Sequence, residues 1–77
     1  MNRIEEIIKD TLETDQITID QNLQDAGMDS ISFVKIIVAL EMEYNIEFAD
    51  EDLLITRLST MRAFETRVTE LIGIREN

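Results

Sequence analysis

The residue with the clearest chemical potential is a serine in the stretch Gly27-Met28-Asp29-Ser30-Ile31. Ser30 stands where a long connection meets an apolar segment with helical spacing, so we expect it in the first turn of a helix. Backbone N–H groups there have no intrahelical partner, and a phosphodiester on the hydroxyl would be stabilised by about 0.3–1 kcal/mol. Gly27 lets the chain turn just before this point. On local physics alone, a plain N-cap role for Asp29 or Ser30 is the commoner use of such residues.

Intrinsic catalysis is disfavoured by the residue types that the chain lacks. It has no His and no Cys, so the common nucleophile–base pairs and thiolate sites are missing. Six of its 17 acidic residues lie within residues 41–52, but this run lacks the alternating ligands and central glycine of a calcium loop. We therefore expect neither an enzyme nor a specific metal site. We interpret these carboxylates as a solvated acidic face, made of Glu41, Glu43, Glu47, Asp50, Glu51 and Asp52.

Three segments have the apolar spacing of helices, and we predict helices at 2–13, 30–44 and 60–72. The first places one apolar face toward a core, made of Ile4, Ile7, Ile8 and Leu12. The last has a similar stripe, made of Met61, Phe64, Val68, Leu71 and Ile72. Ser59 or Thr60 can cap the start of that helix, and Gly73 stands where a glycine would end it.

The middle segment carries two apolar rows instead of one. The first row is Phe33, Ile36, Ile37, Leu40 and Tyr44, and the second is Ile31, Val34, Val38 and Met42. A strand is the competing interpretation because Ile and Val favour strands, but the length and the lack of alternation favour a helix. So short a chain can cover one row, so we expect a buried first row and a partly exposed second row that serves for docking. The alternative is that the short segment after the helix covers the second row.

The connections also carry apolar residues that should hold them in place. The link between the first two helices, 14–29, is long for a helix–helix connection of roughly 2–8 residues, yet we expect it to be ordered. Its anchors would be Ile17, Ile19 and Leu23. After the middle helix we expect an extended link with Ile46 and Phe48 turned inward.

A short fourth helix is predicted at 50–55, with Asp50 as its cap and acids in its first turn. No repeat, low-complexity tract or linker interrupts the sequence. We therefore predict one all-α domain over 1–77, a four-helix bundle of three main helices and one short helix.

The net charge of −10 lies in the middle of the chain. Between Asp10 and Asp52 twelve acids stand with one base, Lys35. Such a field repels nucleic acid and anionic lipid and speeds encounter with basic proteins, although acidity can also serve solubility alone. No apolar run reaches the roughly 20 residues of a membrane span, and acids interrupt the signal-peptide region. We expect a cytoplasmic monomer.

The stretch 23–53 closely resembles the carrier proteins of fatty acid, polyketide and nonribosomal peptide synthesis. The residues that carry the resemblance are Gly27, Asp29-Ser30-Ile31, Leu40-Glu41, Tyr44 and the acidic link 47–52. A weaker outer match is Leu58-Ser59-Thr60-Met61. An isolated Asp-Ser dipeptide would mean nothing, but this ordered pattern covers nearly the whole chain.

The resemblance implies that a phosphopantetheinyl transferase moves 4′-phosphopantetheine from coenzyme A to Ser30. Asp29 would help to position the transferase and its magnesium. The arm would carry acyl or aminoacyl/peptidyl thioesters from a loading enzyme, either adenylating or acyltransferase, to downstream synthase and tailoring enzymes. Partner docking would fall to Ile31, Val34, Val38, Met42, Glu41 and Glu47. Leu54 and Leu58 would close the bundle near the arm.

Two departures from the fatty acid carriers separate the alternatives. Ser32 and Lys35 stand where those carriers usually have an acidic helix start, and the segment 50–60 is slightly longer. Both favour a discrete carrier of nonribosomal peptide or polyketide-type biosynthesis, and the initial Met1 agrees with a discrete chain. The alternatives are a housekeeping acyl carrier of fatty acid or lipid synthesis, and an acidic helical adaptor without a prosthetic group.

Overall fold

The computed structural model describes residues 3–75, which contain three α-helices, one 3-10 turn and no strand. Helix α1 spans Arg3–Leu12, α2 spans Ser30–Tyr44 and α3 spans Met61–Arg75, with the 3-10 turn at Asp50–Asp52. The all-α class is confirmed, but the count of four helices is not. Asn2, where the first helix was predicted to begin, lies outside the described residues.

One hydrophobic core joins the three helices. It buries Ile4, Ile7 and Ile8 of α1, Phe33, Ile36, Ile37 and Leu40 of α2, and Met61, Phe64, Val68 and Leu71 of α3. The rings of Phe33 and Phe64 meet at 6.2 Å between centroids and link α2 to α3. The first row of α2 is therefore the core row, as predicted, with Tyr44 half-buried at its end.

The long connection before α2 is held against the start of α3. Leu23 is fully buried, and its N–H donates to the carbonyl of Ser59 at 2.7 Å. The N–H of Arg62 donates to the carbonyl of Ile19 at 3.0 Å, and its side chain makes two hydrogen bonds to Asp20, at 2.7 and 3.1 Å. The expectation that this connection is ordered is confirmed. The connection also supplies a backbone hydrogen-bond partner to the first turn of α3.

Helix α3 begins near its predicted start and continues past its predicted end. The Oγ1 atom of Thr60 accepts a hydrogen bond from the N–H of Ala63 at 3.1 Å, which is an N-cap. The prediction that Gly73 ends the helix was wrong, because α3 runs to Arg75. A glycine ends a helix when it takes a positive φ, and Gly73 has none.

The short helix predicted at 50–55 is a three-residue 3-10 turn, and Asp50 does not cap it. The carboxylate of Asp52 instead accepts a hydrogen bond from the N–H of Ala49 at 3.1 Å and pairs with Arg67 of α3 at 2.8 Å. This tertiary pair fixes the turn at Asp52. Leu53 then leaves helical geometry with φ −85° and ψ 41°.

Candidate functional site

A reciprocal cap fixes the start of α2. The N–H of Ser32 donates to Oδ1 of Asp29 at 2.9 Å, and the N–H of Asp29 donates to Oγ of Ser32 at 2.8 Å. The backbone and then the hydroxyl of Ser32 hold the pKa of Asp29 below its usual value. This cap sets Ser30 as the first helical residue. No capping role for Ser32 was predicted from the sequence, because the usual capping-box signal has Glu or Gln at that position, three residues after the cap.

The turn before this cap directs Ser30 to the surface. Gly27 has a φ of +104°, which favours glycine strongly. The N–H of Met28 donates to the carbonyl of Leu23 at 2.9 Å, and the Met28 side chain is buried. With Met28 anchored inward and Asp29 bonded to the helix, the side chain of Ser30 is exposed.

A groove of about 500 Å³ lies beside Ser30. One wall is α2 between Ser30 and Glu41, a length of about 16 Å at the rise of an α-helix. The other wall is the segment after the 3-10 turn. Apart from its two ends on α2 the lining is apolar: Phe33, Val34, Ile37, Val38, Leu53, Leu54 and Ile55.

The two leucines expected near the arm line different cavities. Leu54 is half exposed and lines this groove. Leu58 is buried in the core and lines a separate cavity of about 380 Å³ beside the start of α3, and its place near the arm stays a prediction. Leu53 and Ile55, for which the sequence predicted no place near the arm, line the groove as well.

The second row of α2 is uncovered. The exposed fractions are 68% for Ile31, 56% for Val34, 47% for Val38 and 79% for Met42. Partial exposure was predicted and is confirmed. The alternative, in which the following segment covers this row, is wrong for the same reason. Its use for docking stays a prediction.

The predicted solvated acidic face is only partly solvated. Oε2 of Glu41 accepts a hydrogen bond from the N–H of Phe48 at 2.9 Å, which holds the link after α2 against the helix. Glu43 pairs with Arg3 of α1 at 3.4 Å, and Asp52 is buried. The acids that remain exposed are Glu43, despite its pair with Arg3, and Glu47, Asp50 and Glu51.

The surroundings of Ser30 fit a covalently attached, phosphate-linked arm. Its hydroxyl is exposed in a first helical turn, where the helix dipole favours an anion. The groove beside it can receive apolar atoms at the end of such an arm. In residues 3–75 no three carboxylates gather where they could hold a metal ion, and no helix is long and apolar enough to cross a membrane.

Three comparisons place the chain among known proteins. The family model described as a phosphopantetheine attachment site matches residues 2–68. Two acyl carrier proteins of Clostridium perfringens, from strains SM101 and ATCC 13124, are each 41% identical over 54 residues, covering 66% of this chain and 71% of theirs. A chain in the solved structure titled "The ishigamide ketosynthase/chain length factor" is 29% identical with a TM-score of 0.74, covering 92% of this chain and 90% of that chain.

Proposed function

The chain belongs to the phosphopantetheine-attachment family of acyl carrier proteins, and we propose that it carries acyl or aminoacyl/peptidyl groups as thioesters on an arm at Ser30. The prosthetic group of this family is 4′-phosphopantetheine. Residues 1–77 would form one carrier domain. The pathway we propose is of the polyketide or nonribosomal peptide type.

The observation that carries the proposal is the position of Ser30. It is the first residue of α2, it is exposed, and it stands at one end of the apolar groove. An anionic linkage there is favoured by the helix dipole and remains within a transferase's reach.

The groove supports an apolar cargo. Its side chains beyond Ser30 and Glu41 carry no polar group, so burying an apolar acyl chain would cost no hydrogen bond. A polar aminoacyl group would gain less from the same surface. The solved structure titled as a ketosynthase/chain length factor supports the polyketide direction.

The protein itself would contribute no catalytic group. It would hold its cargo at high effective concentration for successive enzymes, which supply the chemistry. Those partners would be a phosphopantetheinyl transferase, an adenylating or acyltransferase loading enzyme, and synthase or tailoring enzymes.

A housekeeping role in fatty acid or lipid synthesis is the second candidate, favoured by the 41% identity to the clostridial acyl carrier proteins. A cell extract depleted of its own acyl carrier separates the two candidates. A housekeeping carrier restores fatty acid synthesis there, whereas a dedicated carrier does not.

The attachment itself is tested by intact mass after incubation with coenzyme A, magnesium and a broad-specificity phosphopantetheinyl transferase. Wild-type protein should gain one arm and Ser30→Ala none, while Ser59→Ala, a matched serine outside the site, should gain one as well. An unmodified wild type would favour the adaptor without a prosthetic group, and an arm on Ser30→Ala would move the attachment elsewhere.

A further inference from the structure

The first eleven residues of α2, 30–40, contain a single charged residue, and it is positive. Lys35 is exposed and follows Ile31 by four residues and precedes Val38 by three. These spacings place it in the uncovered second row of α2. Among the ion pairs within residues 3–75, none involves Lys35.

The acids at the two ends of this row already have partners. Asp29 is bonded to Ser32, Glu41 to the N–H of Phe48, and Glu43 to Arg3. A protein docking on the row therefore meets four apolar side chains and an unpaired ammonium group. The charge that Lys35 gives this row is positive, whereas the net charge of the chain is −10.

We infer that the enzyme that docks on α2 presents an apolar groove with a carboxylate opposite Lys35. The inference rests on the proposed carrier function. A partner base at that position would place two like charges in a desolvated contact, which selects against such partners. The negative field of the whole molecule speeds the approach of basic proteins at long range. At contact, Lys35 selects among these partners for one with a carboxylate opposite it.

A second copy of the chain is a poor occupant of the same face. Lys35 lies near the middle of the row that runs from Ile31 to Met42, so a two-fold contact centred there brings both Lys35 side chains together. Of the two carboxylates of α2, Glu41 is bonded to the backbone of Phe48 and Glu43 pairs with Arg3, so both are engaged within the same molecule.

The test uses arm-bearing wild type, Lys35→Glu and Lys35→Arg, all loaded with the same acyl group. The acceptor is a ketosynthase that takes the acyl group from the wild-type protein, and KM and kcat are measured separately. Lys35→Glu should raise KM about tenfold at low salt with kcat unchanged, and the effect should shrink as salt is added. Lys35→Arg should keep the wild-type KM.

The matched control is Lys9→Glu, which makes the same change of net charge on α1 and should alter KM by no more than about twofold. An unchanged or lowered KM for Lys35→Glu would overturn the inference, as would a dimer that Val34→Asp dissolves. Intact mass separates this failure from failure of the carrier function. If all variants take the arm and have the same KM, only the charge pairing with Lys35 is contradicted. If the wild type takes no arm, the proposed function itself is contradicted.

Discussion

Asp29 combines two roles that one substitution would confuse. Its carboxylate caps α2 through Ser32, and its charge stands beside the hydroxyl proposed to take the arm. Its lowered pKa means that its contribution to stability is present above the ordinary pKa of 3.8 and is lost as the pH falls through the lower folded value. At neutral pH both the cap and the charge are present.

Substitution by Asn and by Ala should separate these roles. Asp29→Asn keeps a good N-cap and removes the charge, so we expect nearly wild-type thermal stability but slower arm transfer. Asp29→Ala removes both and should lower the melting temperature as well. The measurements are a thermal melt and the initial rate of modification. If Asp29→Asn received the arm at the wild-type rate, the negative charge of Asp29 would have no role in arm transfer, and its role would be structural.

At the scale of elements, the two glycines have opposite conformational demands. A Cβ at either position would meet no atom within 4 Å, so only backbone conformation decides the effect. Gly27 has a φ of +104°, whereas Gly73 lies inside α3. Substitution of Gly27 and of Gly73 by alanine therefore gives a matched pair of variants that differ in backbone conformation alone.

We expect Gly27→Ala to lower the free energy of unfolding by about 1 kcal/mol, because alanine disfavours positive φ. Gly73→Ala should raise it by about 0.5–1 kcal/mol, because alanine is the better helix former. Denaturant titration measures both. If the two substitutions changed the free energy of unfolding by the same amount in the same direction, the positive φ of Gly27 and the helical position of Gly73 would both be in contradiction with the result.

The pair between Asp52 and Arg67 joins the 3-10 turn to α3. Both side chains are largely buried, and Arg67 also donates to Glu70 at 3.1 Å. Since the groove wall of Leu53 to Ile55 follows this turn directly, the pair also positions the apolar surface beside Ser30.

Arg67→Ala should cost about 2 kcal/mol of unfolding free energy, because it leaves a buried carboxylate without its cation. Arg62→Ala, which breaks the exposed pair with Asp20, should cost much less. Chemical denaturation compares the two variants. A similar loss from both would mean that burial of Asp52 adds nothing to the pair.

At the scale of the whole molecule, α1 and α3 bring two carboxyl groups together within an already acidic protein. Burial raises the pKa of Glu65, and the hydrogen bond and charge of Glu5 raise it further, while Arg62 opposes them. Oε2 of Glu65 is buried and has no hydrogen-bond partner within the described part of the chain. A carboxyl group with a raised pKa favours the folded state while protonated, and this stability is lost as the pH rises from 4.5 through the folded value.

Glu65→Gln should therefore raise the free energy of unfolding at pH 7 by about 1 kcal/mol, since the amide is neutral. The gain should shrink toward pH 4, where the native carboxyl group is protonated too. Glu51→Gln makes the same change of net charge at an exposed site and serves as the control. A gain independent of pH, or one shared by Glu51→Gln, would rule out the paired carboxyl groups as the cause.

Local sequence determined much of this protein. The apolar spacing of 30–44 gave α2 its bounds, and the Gly-x-Asp-Ser order placed Ser30 at its start. The two rows of α2 also predicted that one would stay uncovered, because a chain of 77 residues has too little else to cover both. The bounds of α2 and the position of Ser30 depend on neighbours within about one helical turn, which the sequence shows directly.

Tertiary structure alone decided the features that join distant residues. Asp52 meets Arg67 fifteen positions away, at a 3-10 turn that stands where a helix was predicted, and Leu53 and Ile55 beyond this turn line the groove. Glu41 reaches the backbone of Phe48 and leaves the acidic face it was assigned to. A carboxylate in sequence carries no sign of whether water, a backbone N–H or an arginine will stabilise it, because that choice depends on which groups the packed helices bring within hydrogen-bonding distance.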